Sequence, residues 1–404
     1  MATVLAAVGS YAIARAHGRV DDGALPLNVL TNHFNLAKVD NDWPVVTPRS
    51  AVRPAPAPPA RPHPPTGARP AAPSPAGRRH PRPPVEGRTM TDPARSTPVG
   101  FHEGELAVQR QAGVARDAAR LSGMLAPAQL RGGLARFLAE RTFAAITARA
   151  MDGTLWVSPL TGPPGFLQVA SSAALAVRAL PAEGDPLHHL PAAQQVGLIV
   201  VEYATRRRLR INGTLSATGS DGLRIDVEQA YGNCPQYIQS RQLHATPAGI
   251  PRGEPVRSAD TLAASDIGLI RRSDTFLIGT THPARGNDAS HRGGPPGFVR
   301  VEDGQLWWPD YRGNNMFNTL GNLETDPTAA LLFCDFTTGH TLHLSGRAAL
   351  EWTRTGIPGD DDRTGRRVHF TPRHLVAGRL LPLQADTVTA APDNPPLTDQ
   401  PTAQ

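Results

Sequence analysis

The amino-acid sequence predicts a mainly β protein, built from two tandem β-barrels with short helices, for two reasons. Residues 162–166 (GPPGF) return as residues 294–298, and residues 209–213 (LRING) have their counterpart in residues 342–346 (LHLSG). Repetition over so long a period indicates two copies of one domain, because the units of solenoids are much shorter. In both copies, short runs of Val, Ile, Leu and Phe alternate with turns rich in Gly, Pro and Asp, which is typical of antiparallel barrels and sandwiches.

Composition sets the first 95 residues apart from the rest of the chain. Thirteen of the 41 prolines lie between Pro54 and Pro84, mixed with Ala and Arg, and residues 1–95 carry the whole formal charge of +6. A segment with so little to bury cannot offset its ordering entropy, so we expect it to be disordered. Sequence typical of a folded domain begins shortly after Met90, and we hypothesise that Met90 is the true start.

Charge, hydropathy and cysteine content narrow the classes of partner and compartment. The chain after residue 95 is electrically balanced, so we expect a solvated basic tail and no nucleic-acid partner. No apolar run approaches the roughly 18 residues that span a membrane. The two cysteines, Cys234 and Cys334, provide neither a disulfide framework nor a zinc spacing. We therefore expect a cytoplasmic protein with no membrane association and no metal site.

The first barrel is predicted at residues 100–245 and begins with two helices. Residues 102–123 and 127–140 both place apolar side chains on one face at helical spacing. Strands separated by turn residues then follow at 142–149, 154–158, 166–169, 196–203, 206–215 and 223–228. A connector that alternates Pro and Gly leads to the second copy.

The second barrel is predicted at residues 255–385 and repeats this order. A helix at 260–272 precedes the strands, and residues 314–325 have helical texture between two of them. The strands are predicted at 274–281, 298–301, 305–308, 328–336 and 340–353, and the last ends near 367–370. Residues 386–404 are rich in Pro, Thr and Asp, and we expect a disordered C-terminal tail.

One stretch of the second copy has the residue types of an anion site. Ser290, His291 and Arg292 stand next to glycines, and Arg300 lies in the strand that follows. Glycines let backbone N–H groups approach a ligand closely, and the planar guanidinium of Arg matches the geometry of phosphate. The stretch therefore predicts a Gly-rich loop that binds an anionic ligand.

A second polar stretch follows in the same copy. Arg312 is followed by Asn314, Asn315 and Asn318, which lead into the segment with helical texture. Asn at a helix start caps free backbone N–H groups, and such a start attracts phosphate. Together the two stretches predict one pocket with cationic and amide groups.

The first copy keeps the turn motif but lacks most of these polar groups. It has Gln168 where the second copy has Arg300, and nothing in it matches residues 311–315. It carries instead an Arg-rich strand start at residues 205–210 and a Cys234–Pro235 segment after its last strand. This asymmetry indicates that the two copies contribute different elements to the function.

The second copy strongly resembles the pyridoxamine 5'-phosphate oxidase-like split barrels, which bind FMN. The resemblance is carried by SHRGGPPGFVRV at 290–301, WPDYRGNN at 308–315, NL at 322–323 and ALLF at 330–333. The Cys-Pro segment after the first barrel is similar to one found after the barrel of single-domain relatives. The resemblance extends over residues 100–385 and predicts two tandem FMN-binding split barrels.

The family places its cofactor between two barrels, so the resemblance implies an intramolecular pseudo-dimer with one complete composite FMN site. The chain is then a monomeric pseudo-dimer, or two chains still pair as a homodimer. Arginines are implied to pair with the phosphate, and the Ser and Asn side chains to bind the phosphate, ribityl chain or ring edge. The implied cofactor residues are Ser290, His291, Arg292, Arg300, Arg312, Asn314, Asn315 and Asn318, with Arg207 and Tyr237 from the opposing barrel.

The resemblance also implies a class of function. We expect an FMN-dependent oxidoreductase that passes electrons or hydride between bound flavin and a small-molecule redox substrate. Alternatives are a non-catalytic flavin- or haem-binding carrier or redox sensor, and a deazaflavin-dependent reductase; FAD is an alternative cofactor. The segment that binds pyridoxal phosphate in true pyridoxamine phosphate oxidases is not recognisable, so we do not expect that reaction. No side chain is assigned as catalytic, although His291 is the plausible proton donor by type.

Overall fold

A computed structural model of the chain describes residues 100–246, 249–250, 253 and 255–398. The predicted disordered extension at 1–95 and the hypothetical start at Met90 lie outside these residues. Within them the fold is mainly β, which confirms the predicted fold class.

The helices are short and begin later than the sequence predicts. Gly113 adopts a φ of +73° and ends the first helix, so the single predicted helix at 102–123 is wrong. Among the described residues, no helix is long and apolar enough to cross a membrane. The α-helices are α1 (Glu103–Gln111), α2 (Ala115–Ala119), α3 (Gly133–Ala139), α4 (Ala264–Arg272) and α5 (Asn318–Thr325), with a 3-10 turn at Ser122–Leu125.

Seven strands of the first copy form one antiparallel sheet with the order β2-β1-β5-β6-β7-β4-β3. Residues Ala174–Val177 form a strand that was not predicted from the sequence because it has only four residues. The strands are β1 (Phe143–Arg149), β2 (Leu155–Thr161), β3 (Leu167–Ser171), β4 (Ala174–Val177), β5 (Gln194–Glu202), β6 (Arg207–Gly219) and β7 (Gly222–Gly232).

The second copy repeats that topology. Its main strands have the order β11-β10-β14-β15-β16-β13-β12, which matches the first sheet position by position, while β9 pairs with β16 and β8 with β17. The strands are β8 (Leu243–Ala245), β9 (Arg257–Ala259), β10 (Thr275–His282), β11 (Gly286–Gly293), β12 (Arg300–Glu302), β13 (Gln305–Pro309), β14 (Thr328–Cys334), β15 (Thr341–Trp352), β16 (Arg366–Gly378) and β17 (Leu383–Ala385).

Each sheet encloses its own hydrophobic core, and a third core joins the two barrels. Strand β1 shows how: Ile146 points into the first barrel, whereas Phe143 points out against the second. Tyr203 from the first barrel and Phe336 from the second complete the contact, with ring centroids 5.5 Å apart. Burial of apolar surface on both faces of the central strands therefore holds the pseudo-dimer together.

Helix α1 packs against α5 of the second barrel through two glycines. A Cβ atom on Gly104 would lie 2.1 Å from the carbonyl oxygen of Gly321, and one on Gly321 would lie 2.5 Å from the backbone nitrogen of Glu105. Both distances are far below van der Waals contact, so only glycine permits this approach. The contact brings Glu105 from the start of the first copy onto the second barrel.

We expect Gly321→Ala to lower the free energy of unfolding by about 1–3 kcal/mol, because the new methyl group meets backbone that cannot move aside freely. Gly268→Ala in α4 is the matched control, since its Cβ would meet only the flexible Arg272 side chain at 3.5 Å. That variant should be neutral, or more stable by up to about 1 kcal/mol. Urea denaturation measures both, and equal stabilities would contradict the proposed helix contact.

The described part of the C-terminal segment, residues 386–398, differs from the sequence-based expectation of a disordered tail, while residues 399–404 lie outside the described residues. Residues 386–398 pack across the molecule, and Thr389 and Ser240 exchange two backbone hydrogen bonds of 2.8 Å. The Gln239 side chain holds Asn394 and the backbone of Ala391, at 2.7–3.0 Å. Composition alone did not reveal these partners, which are distant in sequence.

Candidate functional site

An open cleft lies between the two barrels and has a cavity volume of about 100 Å³. The first barrel lines it through β5, β6 and the Cys-Pro segment after β7. The second lines it through β11, residues 308–315 and the start of α5. Ligand sites often lie at the interface of two domains, which is where this cleft is found.

Eight of the ten candidate residues line this cleft. Residues 290–293 were predicted in a loop, but they form the end of β11 and pair with β10. Helix α5 starts only at Asn318, because Asn315 and Phe317 adopt positive φ values of 61° and 59°. The lining candidates are Ser290, His291, Arg292, Arg312, Asn314, Asn315, Asn318 and Tyr237.

Arg207 is not a cleft residue, and its neighbours on β6 take that place. Its guanidinium lies over the ring of Phe137, 5.1 Å from the centroid. Side chains alternate along a strand, so Arg208 and Arg210 project to the opposite face and line the cleft. The Arg-rich strand start reaches the cleft through Arg208 and Arg210, but the sequence did not show which residues of the strand face the cleft.

Arg300 is also outside the cleft. Its two terminal nitrogens contact the two carboxylate oxygens of Asp361 at 2.9 and 3.0 Å, and the Asp361 side chain is 0% exposed. The guanidinium also lies 4.9 Å from the ring centroid of Trp307. This geometry gives Arg300 a structural partner that lies far along the chain and carries no sequence motif.

Two half-buried arginines give the cleft an excess of positive charge. Among the described residues, neither Arg208 nor Arg292 has a carboxylate at salt-bridge distance. Arg292 donates to the Ser290 hydroxyl at 2.7 Å, and Arg208 donates to His291 Nδ1 at 3.0 Å. Burial lowers the pKa of both guanidinium groups to about 10, so both remain cations at neutral pH. Buried cations are costly without a counter-charge, so the site suits an anion.

His291 supports this arrangement as a neutral side chain. Its Nδ1 accepts from Arg208, so Nε2 carries the proton and donates it to the Thr275 hydroxyl at 2.5 Å. Burial, followed by the charges of Arg208 and Arg292, holds the pKa of His291 well below its usual value. The ring therefore positions Arg208, and its proton points to Thr275 rather than to the cleft.

Polar and strained segments form the wall and the mouth. Asn314 Nδ2 donates to Asn233 Oδ1 across the two barrels at 3.0 Å. Tyr237, like Asn315 and Phe317, has a positive φ, here 62°, and strained backbone of this kind clusters at functional sites. The Tyr237 and Tyr311 rings lie 5.0 Å apart at the mouth.

Two carboxylates accept hydrogen bonds from residues at the mouth of the cleft. The Tyr311 hydroxyl donates to Asp361 at 3.1 Å, and the Arg312 backbone nitrogen donates to Asp362 at 2.6 Å. Burial raises the pKa of Tyr237 and of Tyr311, so both phenols stay protonated. The Arg312 side chain is exposed and remains available at the rim.

The symmetry-related position is filled by protein. His343 occupies in the second copy the place of Arg210, and Ser158 on β2 corresponds to Ser290 on β11. Between them lies Asp185, which accepts from the Ser158 hydroxyl at 2.5 Å and lies 3.7 Å from His343 Nε2. Asp185 and His343 side chains are 0% exposed, so no cleft opens there.

A cluster of His102, Glu103 and His282 offers metal-ligand atoms within 4.8 Å of one another. The positions of the protons on the two imidazole rings are incompatible with metal binding. Backbone N–H groups donate to Nδ1 of both rings, at 3.1–3.2 Å. Each Nε2 therefore carries the proton and donates, to Asn322 from one ring and to Glu103 from the other. A neutral ligating imidazole needs its proton on the other nitrogen, so the cluster is a hydrogen-bond network.

Comparison with known proteins connects the second barrel to a family. Residues 268–356 match the family model of pyridoxamine 5'-phosphate oxidase. No curated protein matches the chain. Among solved structures, HupZ of Group A Streptococcus is 10% identical and covers 28% of this chain and 91% of its own, with a TM-score of 0.24.

Two further solved structures are similarly distant. A putative pyridoxamine 5'-phosphate oxidase from Lactobacillus delbrueckii is 10% identical over 29% of this chain and 94% of its own, with a TM-score of 0.24. An FAD-binding protein from Mycobacterium smegmatis is 12% identical over 32% of this chain and 100% of its own, with a TM-score of 0.21.

The repeated strand order and the shared cleft define a tandem split-barrel protein whose candidate site lies between its halves. Within it, residues 268–356 of the second barrel match the model of the pyridoxamine 5'-phosphate oxidase family, which confirms the resemblance seen in the sequence.

Proposed function

We propose that the chain binds one FMN in the composite cleft and is an FMN-dependent oxidoreductase that acts on a small-molecule redox substrate. The observation that carries this proposal is a pair of half-buried arginines, Arg208 and Arg292, that have no carboxylate at salt-bridge distance among the described residues and line a cleft walled by a barrel similar to this family. A phosphate group supplies the charge that these residues lack.

The polar atoms of the cleft fit such a ligand. Arg208 Nε and Arg210 Nε are buried without a hydrogen-bond partner in the described part of the chain. A phosphate at the end of β11 could accept from Arg208, Arg292 and the Ser290 hydroxyl. Leaving such donors unsatisfied costs about 1–3 kcal/mol each, which a bound anion would recover.

The remaining cleft residues would orient the organic part of the cofactor. Asn314, Asn315 and Asn318 present amide groups to the wall, and Tyr237 and Tyr311 present rings at the mouth. When bound, the flavin supplies the hydride or electron transfer, and the protein contributes binding, orientation and exclusion of water. Because His291 directs its proton to Thr275, we assign no side chain a proton-transfer role.

We expect one flavin per chain, because Asp185 and His343 fill the symmetry-related position. The full-length chain should show a flavin absorption spectrum, and heat should release FMN at a ratio near one per chain, identified by mass spectrometry. Two per chain would contradict the filled second position. Failure to take up added FMN would contradict the proposal, and preferential uptake of FAD, deazaflavin or haem would favour the alternatives.

Turnover separates an enzyme from a carrier. Reduction of the bound flavin by a nicotinamide cofactor, followed by repeated transfer to an acceptor, would support oxidoreductase activity. A flavin that binds tightly but is neither reduced nor reoxidised catalytically would identify a carrier or redox sensor instead.

A further inference from the structure

Glu105 is a buried carboxyl group directly behind the cleft. It is 3% exposed and lies near the start of α1, where the Gly104–Gly321 contact presses it against α5. Its Oε2 accepts from the backbone nitrogen of His102 at 2.8 Å, and its Oε1 accepts from Asn318 Nδ2. The carboxyl group thus reaches a residue that lines the cleft.

Asn318 connects Glu105 to the cationic side of the cleft. Its Oδ1 accepts from a terminal nitrogen of Arg210 at 3.1 Å, while its Nδ2 donates to Glu105. The carboxylate therefore determines which end of the amide faces Arg210, and both Asn318 and Arg210 line the cleft. A polar cavity of about 30 Å³ lies beside this chain of contacts, enough to hold a water molecule.

Two other titratable side chains around this cavity, His102 and Tyr231, are neutral at neutral pH. Burial lowers the pKa of His102 to about 4 and raises the pKa of Tyr231, so both are neutral. Burial also raises the pKa of Glu105 to about 7, against the hydrogen bonds from His102 and Asn318. The charged and titratable groups that face Glu105 are His102, Arg210 on β6, Tyr231 on β7, Arg285, and Asp288 on β11, which is paired with Arg210; Glu103 and His282 lie behind His102.

We propose that Glu105 is a positioning residue that links proton uptake to the affinity of the cleft for an anion, acting through Asn318 and Arg210. The inference rests on the proposed function, since the anion is the cofactor phosphate. As a carboxylate, Glu105 offsets part of the positive charge around the cleft. As a neutral acid it leaves that charge unopposed, so protonation strengthens anion binding, and anion binding in turn raises the proton affinity of Glu105.

The charge that Glu105 gains on losing its proton is negative, and this determines the direction of the pH dependence. The affinity for a phosphate-bearing ligand falls as the pH rises from 6 to 8, because Glu105 loses its proton in this range. One charge acting over roughly 10 Å at a partly screened site corresponds to a change of about threefold to tenfold in dissociation constant. Glu105→Gln cannot lose a proton, so its affinity should not show this decline.

The experiment compares three full-length proteins at pH 6 and pH 8: the wild type, Glu105→Gln, and Glu324→Gln. The control removes one carboxylate from an exposed position of α5. FMN affinity is measured by flavin fluorescence, and sulfate affinity by thermal shift, since sulfate keeps its charge over this range. The FMN phosphate titrates with a pKa of about 6, but this acts on all three proteins alike and cancels in their ratio.

For sulfate, the proposal expects the threefold to tenfold decline in the wild type and in Glu324→Gln, and its loss in Glu105→Gln. For FMN it expects the same threefold to tenfold difference in the ratio of the pH 8 and pH 6 affinities between Glu105→Gln and the other two proteins. The same pH dependence in all three proteins overturns it. If sulfate shows the expected pattern while FMN fails to bind, the coupling between Glu105 protonation and anion affinity is supported and the proposed flavin function is contradicted. If FMN binds with an unaltered pH dependence in Glu105→Gln, the proposed flavin function is supported and this coupling is contradicted.

A measurement on the wild type tests the proposal even if Glu105→Gln does not fold. With ¹³C-labelled glutamate, the Glu105 carboxyl resonance should titrate near pH 7, and the midpoint should move up when sulfate is added. A midpoint near that of an exposed glutamate, or one that sulfate does not move, overturns the proposal.

Discussion

Replacing Arg292 with Gln is expected to weaken FMN binding by about 10- to 100-fold, the loss of one charge-assisted phosphate contact. The same substitution should leave the flavin-free chain at least as stable, because it removes a half-buried cation that has no carboxylate at salt-bridge distance among the described residues. Fluorescence titration measures the first effect, and urea denaturation of the flavin-free protein measures the second. Arg208→Gln should behave alike.

Arg347→Gln provides the control for that experiment, since it removes one positive charge from an exposed position of β15. Its FMN affinity should stay within about twofold of the wild type, as expected for a screened surface charge. Unchanged affinity in both Arg292→Gln and Arg208→Gln would mean that the phosphate binds elsewhere. A large loss of stability in the flavin-free Arg292→Gln protein would instead give this guanidinium a structural role.

Replacing Arg300 with Ala is expected to lower the free energy of unfolding by about 3–5 kcal/mol, because it leaves the buried carboxylate of Asp361 without its partner. The Asp361 side chain is 0% exposed and also accepts from the Tyr311 hydroxyl and from Thr398. The loss should therefore be structural, with the FMN affinity of the protein that remains folded much less affected than in Arg292→Gln.

Removing the charge of the unpaired Asp361 carboxylate tests this explanation. Arg300→Ala combined with Asp361→Asn should recover part of the lost stability, because the second change removes the uncompensated charge. Urea denaturation of the two single variants and the double variant completes the cycle. Strict additivity of the two losses would contradict the buried ion pair as the cause, and a loss of FMN affinity with normal stability would return Arg300 to the cofactor site.

The fold followed from local patterns in the sequence. The repeated GPPGF turn and the alternating strands predict two barrels, and the structure confirms the same strand order in both. The motif at residues 290–301 predicts the family, which the match over residues 268–356 confirms. Such features are readable because a turn or a strand depends mainly on neighbouring residues.

The sequence was less informative about which side chains reach the cleft, because this depends on residues that are distant along the chain. Arg207, a candidate from the sequence, packs on Phe137, whereas the next residue, Arg208, lines the cleft; the alternation of the strand alone did not reveal which of the two faces the cleft. Arg300 was assigned to the phosphate because Asp361 belongs to no motif. Glu105 was missed altogether, since its link to Asn318 depends on two glycines in different copies of the repeat.

Placing both walls of the cleft on one polypeptide changes how the site can vary. In a symmetric dimer of identical chains, every substitution appears in both clefts at once. Here Asp185 fills one of the two related positions and the Arg-rich strand lines the other, so a substitution alters only one of them. The two walls are also tethered, so assembly of the site does not depend on protein concentration and should survive dilution that would separate two free subunits.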